Sequence, residues 1–209
     1  MSNLTGERQQ SVSQRTHIID AAIAMFRARD YAGCVLADVA EEAGIPLAEV
    51  EQHFPDWDSV VVATIDRWNG DRMFALQSVA DEHGAVAFLR ATVAGNVEDP
   101  ALVRLLMATF SAGSRPTHPA SEYYRQQYAL YYGFLKQSLE RDVAAGREHW
   151  NMDPARGAEQ LLAMSEGLTL QSMLRDFDLV EAYDRATARL RYGWCEPYVA
   201  QPEDGIWEL

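Results

Sequence analysis

Residues 15–65 decide the fold; they read RTHIIDAAIAMFRARDYAGCVLADVAEEAGIPLAEVEQHFPDWDSVVVATI. Apolar residues recur at helical spacing up to residue 29, and a break at residues 30–33 separates that helix from a short second one over 36–43. Gly44 suits the position just past a helix end, and Pro46 suits the first turn of a third helix that runs to about Phe54. Asp56 is the predicted N-cap of a long fourth helix. The stretch therefore predicts a helix-turn-helix unit held between two longer helices.

The remainder of the chain also reads as helices, with no convincing strand and no internal repeat. The further predicted helices cover 85–97, a segment from Pro100, 121–145, 154–175 and 179–194. We predict an all-α fold in two domains with a tail. The predicted boundaries are a three-helix head over 1–57, a six-helix domain over 58–195 and an irregular tail over 196–209.

Composition narrows the class of protein. Nearly half of the 209 residues are apolar, no apolar run reaches the ~20 residues of a membrane span, and the polar N-terminus lacks the apolar core of a signal peptide. We expect a cytoplasmic protein. Cys34 and Cys195 stand far apart, so neither a metal site nor a disulfide is indicated. The five histidines are scattered and no nucleophile or phosphate-loop motif occurs, so we predict no catalytic residue and no cofactor.

The order of a three-helix head, a long connecting helix and five further helices resembles the TetR family of transcriptional regulators over nearly the full chain. The segments HPASEYYRQQY (118–128) and EGLTLQSML (166–174) resemble the C-terminal domain of such regulators. The head matches the family's structural positions at Phe26, Tyr31, Leu36, Val39, Ala40, Ala43, Gly44, Ile45, Val50, His53 and Phe54. The resemblance implies a homodimer that binds operator DNA through the head and a small molecule through the C-terminal domain. The aromatic residues of that domain, described below, predict that the molecule is apolar or aromatic.

The head departs from the family where it would meet DNA. Val35 stands in place of the usual threonine, Pro46 in place of serine, Glu51 in place of tyrosine and Trp57 in place of a phosphate-binding lysine. Residues 1–60 hold four arginines against ten acidic residues, a net charge of −6. Most affinity for duplex DNA comes from neutralised phosphates, so this head starts at a disadvantage.

Several residues of the head remain candidates for DNA contact. A carboxylate can read the exocyclic amine of cytosine, but only when phosphate contacts elsewhere position the head. Arg15 fits a DNA contact and a solvated helix position equally well, whereas a solvated helix end explains Arg27 and Arg29 better. His53 is better explained by packing than by base reading. The candidate set is Arg15, Pro46, Leu47, Glu49, Glu51, Gln52, His53 and Trp57.

Five tyrosines fall between residues 123 and 132, on one predicted helix. Tyr124, Tyr128, Tyr131 and Leu135 share a face at four-three-four spacing. Aromatic rings with hydroxyl groups suit a ligand pocket, although filling the core explains most of them equally well. The candidate pocket residues are Phe88, Met107, Phe110, Tyr124, Tyr128, Tyr131 and Met164.

The last two helices carry small and apolar residues suited to antiparallel packing. The candidate dimer residues are Leu161, Ser165, Leu168, Tyr183, Thr187 and Leu190. The resulting interpretation is a ligand-responsive transcriptional regulator, a repressor. The alternative keeps the fold but has weakened or lost DNA binding, and acts as a ligand-binding or protein-interaction module. An enzyme that uses the helical pocket is the third possibility, which no motif favours.

Overall fold

A computed structural model describes residues 2–196, with side chains from residue 8 onward. Within that range the chain is helical without strands, which confirms the predicted all-α fold. The helices are α1 (Ser2–Ala28), α2 (Leu36–Ala43), α3 (Leu47–His53), α4 (Trp57–His83), α5 (Ala85–Glu98), α6 (Pro100–Gly113), α7 (Ser121–Ala144), α8 (Pro154–Ser172) and α9 (Leu179–Trp194). A single 3₁₀ turn, Tyr31–Gly33, joins α1 to α2. The tail predicted from residue 196 lies, from residue 197 on, outside the described residues.

Local capping signals set the helix ends where the sequence predicts them. Asp56 caps α4 by accepting a hydrogen bond from the Ser59 amide at 2.8 Å. Asp178 caps α9 in the same way. Gly44 follows α2 with φ of 66°, a left-handed conformation that favours glycine. The largest difference is at the start of α1, where residues 8–13 are helical but exposed, so they show none of the apolar periodicity that marked the rest of the helix.

The head does not have a hydrophobic core of its own. Ile18, Phe26, Val50 and Phe54 from α1, α3 and the turn after it are buried in one apolar cluster. The same cluster continues into Val60, Val61, Ala63, Ile65 and Trp68 of α4 and Leu102, Val103 and Leu105 of α6. A second cluster joins α5, α7, α8 and α9. Apolar packing therefore runs across the boundary predicted between residues 57 and 58, and that division stays an interpretation.

A buried carboxylate fixes the corner between α4 and α5. Asp142 of α7 is 2% exposed; it accepts hydrogen bonds from the Ala85 amide and from Arg147 Nε, each at 2.8 Å. Gly84 turns the chain here with φ of 89°, and a Cβ at this position would lie 2.6 Å from an oxygen of Asp142. The close approach requires glycine, and it anchors α5 against α7 on one side of the cavity described next.

Candidate functional site

A cavity of about 410 Å³ lies among helices α4 to α8. Its volume falls within the range of small-molecule sites. Aromatic rings form much of its wall: Phe110 packs edge-on against Tyr124 and Tyr128, with ring centroids 5.7 and 6.3 Å away, and Phe88 contacts Tyr131 at 6.4 Å. The wall is therefore apolar with a few hydroxyl groups directed from α7.

The four-three-four spacing of the α7 tyrosines is what brings them to this wall. Tyr124, Tyr128 and Tyr131 all line the cavity, as do three other candidate pocket residues, Phe88, Met107 and Phe110. Met164, the seventh candidate, does not line it. It lies instead in a shallow groove between α8 and α9, because Ser165, Glu166 and Thr169 form the face of α8 that meets the cavity.

Two acidic side chains also line the cavity, and each binds a tyrosine. Tyr128 donates to Glu166 Oε2 at 3.3 Å, and Tyr123 donates to Asp66 Oδ1 at 2.7 Å. Burial raises the pKa of Tyr128 to about 12, and burial also raises the pKa of Glu166 although the bond from Tyr128 opposes that shift. Burial raises the pKa of Tyr131 as well. These hydroxyls therefore stay protonated and serve as hydrogen-bond groups.

Arg72 of α4 is the cavity residue that sequence reasoning missed. Its guanidinium donates to Asn96 Oδ1 at 2.6 Å and to Asn69 Oδ1 at 3.1 Å, and it stacks over the Trp68 ring at 4.3 Å. Its Nε is buried and has no hydrogen-bond partner. The signal available in the sequence is weak: Arg72 follows Trp68, a residue of the buried cluster, by one helical turn.

The cavity reaches solvent between α4 and α7. Phe74 and Leu130 both line it, yet these side chains are 78% and 68% exposed. Large apolar side chains that are this exposed beside a cavity form an apolar rim. The rim gives a small molecule a path to the aromatic wall.

The head side chains are mostly engaged within the protein. Arg15 donates to the His53 carbonyl at 2.9 Å and lies over the Phe54 ring at 4.1 Å, so it caps the end of α3. Glu49 accepts from Gln14 at 2.5 Å, and His53 lies 3.4 Å from the same glutamine. Pro46, Leu47, Glu51 and Gln52 are the candidates left exposed on and before α3.

Three further side chains of the head, Trp57, Arg27 and Arg29, also contact other residues of the chain. Trp57 is half-buried and packs edge-on against Phe26 at 5.6 Å, so its ring packs on the head core, and its contact with DNA stays a prediction. Arg27 pairs with Asp99 at 2.7 Å, and Arg29 pairs with Asp38 at 3.4 Å. Both arginines lie at the end of α1 and are already neutralised.

Most of the candidate dimer residues are buried inside the single chain. Leu161, Ser165, Tyr183 and Thr187 are buried within this chain, and the Tyr183 hydroxyl donates to the Val86 carbonyl at 3.0 Å. Their small and apolar character serves packing of α8 and α9 on each other and on α5. Leu168 and Leu190 are partly buried against the same cluster. A different stripe of α8 faces outward: Gln160, Ala163 and Leu170 are exposed and Gly167 is partly exposed, and Leu174 is exposed just beyond the end of the helix.

The comparisons with known proteins agree with this architecture. Residues 82–192, more than half of the chain, match the family described as the C-terminal domain of BetI-type transcriptional repressors. The chain belongs to the TetR family of transcriptional regulators. Family members are regulators, and this TetR-family chain offers no metal-ligand cluster of His, Cys, Asp and Glu among its described residues. Nor is any helix within residues 2–196 long and apolar enough to cross a membrane.

Solved structures share the fold across nearly the whole TetR-family chain. A TetR transcription regulator from Haloarcula marismortui is 19% identical, with a TM-score of 0.76 over 88% of this chain and 98% of that one. SmeT, the repressor of the Stenotrophomonas maltophilia multidrug efflux pump SmeDEF, is 20% identical, with a TM-score of 0.66 over 90% and 94%. The multidrug binding protein EbrR, complexed with imidazole, is 25% identical, with a TM-score of 0.60 over 90% and 97%. The comparison with curated proteins gave no match.

Proposed function

We propose that this protein is a cytoplasmic, homodimeric repressor that binds operator DNA through α2 and α3 and responds to a small apolar or aromatic molecule in the cavity. One observation carries the proposal: the cavity wall and the head core share side chains. Ile65 and Val103 are buried in the head cluster and also line the cavity, and Leu106 and Met107 pack on both. A molecule that displaces these side chains also perturbs the packing of the head, because packed cores transmit strain.

A polar chain runs parallel to this shared packing. Arg72 in the cavity stacks on Trp68, whose indole donates to Asp99 Oδ2 at 3.1 Å. The same oxygen accepts from Arg27 at the end of α1. This chain supports a coupling of ligand binding to the position of the head, and the coupling is measurable as a change in DNA affinity on ligand binding.

For the dimer, we assign the outward stripe of α8 together with the adjoining face of α9. Ala163, Met164, Ala186, Leu190 and Gly193 line the groove between the two helices. Small residues there let two helices of a partner approach closely. Sedimentation velocity at micromolar concentration is expected to show a dimer, and a monomer would remove the two-headed arrangement.

A second candidate function rests on the exposed face of the head. Val35 is 56% exposed and Leu47 is also exposed, at positions where a DNA-binding head needs hydrogen-bond donors. Arg15 and Arg27 are exposed but already bound to other residues of the chain, the His53 carbonyl and Asp99. An apolar and acidic face of this kind favours a protein-interaction role, in which DNA binding is weakened or lost. We assign the cavity no catalytic role.

One experiment separates the two candidates. The protein is incubated with a pool of random 30-base-pair duplexes at low salt, and bound duplexes are amplified and sequenced over several rounds. The repressor proposal predicts an enriched palindrome with half-sites about one helical turn, or a multiple of it, apart. No enrichment, and no binding of generic duplex at low salt, favours the protein-interaction role.

A second experiment tests ligand binding by comparing the wild type with a cavity variant. Compounds that raise the Tm of the wild type are tested on Tyr128→Ala, a change at a half-exposed cavity residue that leaves the fold intact. True cavity ligands are expected to lose their effect on the variant and to release the enriched duplex from the wild type. Compounds that act equally on both proteins bind elsewhere.

A further inference from the structure

We propose that the effector of this protein carries a carboxylate, which Arg72 binds with a charge-assisted hydrogen bond while the apolar part of the molecule lies on the aromatic wall. The inference rests on the proposed function in that it names the chemical class of the molecule taken by the cavity. It goes beyond the apolar or aromatic character that the tyrosines alone predict.

The first observation is a partly buried positive charge without an acidic partner. Among the described side chains, Arg72 makes no ion pair, and its hydrogen bonds go to the neutral amide oxygens of Asn69 and Asn96. Arginine stays protonated in proteins, so the charge persists although burial lowers its pKa. A charge that is partly removed from water and has no counterion is unfavourable, and an anion in the cavity would lower that penalty.

The second observation is an unused donor. Arg72 Nε is buried and has no hydrogen-bond partner. Among the described residues, every other buried side-chain nitrogen or oxygen has one. Buried donors are nearly always satisfied, and a ligand is one of the recognised reasons for an exception. A carboxylate suits a guanidinium because its two oxygens match adjacent N–H groups.

The surroundings hold Arg72 in place for this task. Asn96 donates its own Nδ2 to Thr169 Oγ1 at 3.1 Å, which keeps its oxygen directed at the guanidinium. Trp68 supports the guanidinium from one face. Asp99, the carboxylate whose charge acts on the pKa of Arg72, is already paired with Arg27. The guanidinium is therefore oriented without being neutralised, which is the condition of a preorganised anion site.

The acidic residues of the cavity do not offer an equally ready site for a cation. Glu166 accepts from Tyr128, and Asp66 accepts from Tyr123, so each carboxylate already has a donor. Burial also disfavours the charged form of Glu166. A ligand amine would have to displace a tyrosine, whereas among the described residues Arg72 has no acidic partner that a ligand carboxylate would have to displace.

The test uses three molecules of one shape: 4-phenylbutanoate, 4-phenylbutanamide and 4-phenylbutylamine. Binding to the full-length wild type, to Arg72→Gln and to Glu166→Gln is measured by isothermal titration calorimetry at pH 7. Because a carboxylate forms an ion pair with the guanidinium in addition to the hydrogen bond that an amide oxygen also accepts, the acid is expected to bind the wild type roughly 10- to 100-fold more tightly than the amide. Arg72→Gln should bring the affinity of the acid to within a few-fold of that of the amide, whereas Glu166→Gln, which retains Arg72, should keep a preference for the acid.

Several results overturn the proposal. These are equal affinities of acid and amide for the wild type, an amine that binds best and loses affinity in Glu166→Gln, and an acid preference that survives Arg72→Gln. Straight-chain acids of four to twelve carbons are also tested, in case the phenyl compounds do not fit the cavity. Failure of every acid to bind would also overturn the proposal. Arg72→Lys, which keeps the charge, replaces Arg72→Gln if the latter does not fold, and it should retain part of the preference.

The outcome is independent of whether the head binds DNA. Loss of the acid preference leaves the repressor proposal standing, since that depends on the enriched duplex. Failure to enrich any duplex leaves the acid preference standing as a property of the cavity.

Discussion

The acidic face of the head leads to a prediction about Glu51 and the affinity of the protein for DNA. This residue is exposed on α3, and within the described residues its side chain makes no hydrogen bond or ion pair. Replacing it therefore perturbs little of the fold, in contrast to Trp57, whose ring packs against Phe26. We expect Glu51→Lys to raise the affinity of the protein for generic duplex DNA and to make that affinity more dependent on salt.

The magnitude follows from counterion release. Each phosphate neutralised adds about 0.9 to the slope of log K against log salt concentration, and a dimer presents two heads, so the slope should steepen by about 1.8. Between 50 and 200 mM salt, a slope difference of ~1.8 corresponds to a further loss of about 12-fold in affinity. The gain over the wild type is therefore largest at low salt, where the introduced lysine replaces a repelling carboxylate.

Fluorescence anisotropy with one labelled random duplex, titrated at several salt concentrations, measures both quantities. Glu82→Lys is the matched control because it makes the same change in net charge at the far end of α4, ~38 Å along the helix from its first residue. That distance is several Debye lengths, so the control should behave as the wild type. Equal slopes for Glu51→Lys and the wild type, or an equal effect of Glu82→Lys, would refute the reasoning that α3 faces the phosphates.

Three further predictions follow from particular contacts. Gly84→Ala should lower the free energy of unfolding, measured by urea denaturation, by about 2 kcal/mol or more. The reason is that alanine is strained at φ of 89° and its Cβ would overlap Asp142. An unchanged denaturation midpoint would contradict that geometry. Glu166→Gln should stabilise the protein at pH 7 by less than about 1 kcal/mol, and the gain should vanish near pH 3. The reason is that burial raises the pKa of Glu166 in the folded state. The stability that protonated Glu166 contributes is therefore full below its unfolded pKa and is lost as the pH rises through its folded pKa. Thermal melts of both proteins across this pH range measure the difference, and a stabilising effect of Glu166→Gln that grows as the pH falls would contradict the prediction. Ala163→Glu should convert the dimer to monomer in sedimentation while the helical circular dichroism is kept, since Ala163 is exposed in the single chain; a persistent dimer would place the interface elsewhere.

Features encoded by local sequence were predictable. Asp56 caps a helix and Gly44 ends one because each acts on backbone groups within four residues. The α7 tyrosines share a face because a helix repeats every 3.6 residues, and the structure shows Tyr124, Tyr128 and Tyr131 together on the cavity wall. Family resemblance then supplied the order in which such helices pack.

What the sequence by itself determined is the set of helices, the helix-turn-helix unit, the acidic balance of the head and the aromatic face of α7. Only the tertiary structure decided which of two similar stripes of α8 is core, because Leu161 and Ala163 differ little in character but lie on opposite sides of the helix. It also decided that Trp57 is buried against Phe26, and that Arg72 reaches a cavity without a carboxylate partner. These outcomes depend on contacts between residues far apart in the chain, and no periodicity within one helix reports which neighbour will cover a given face.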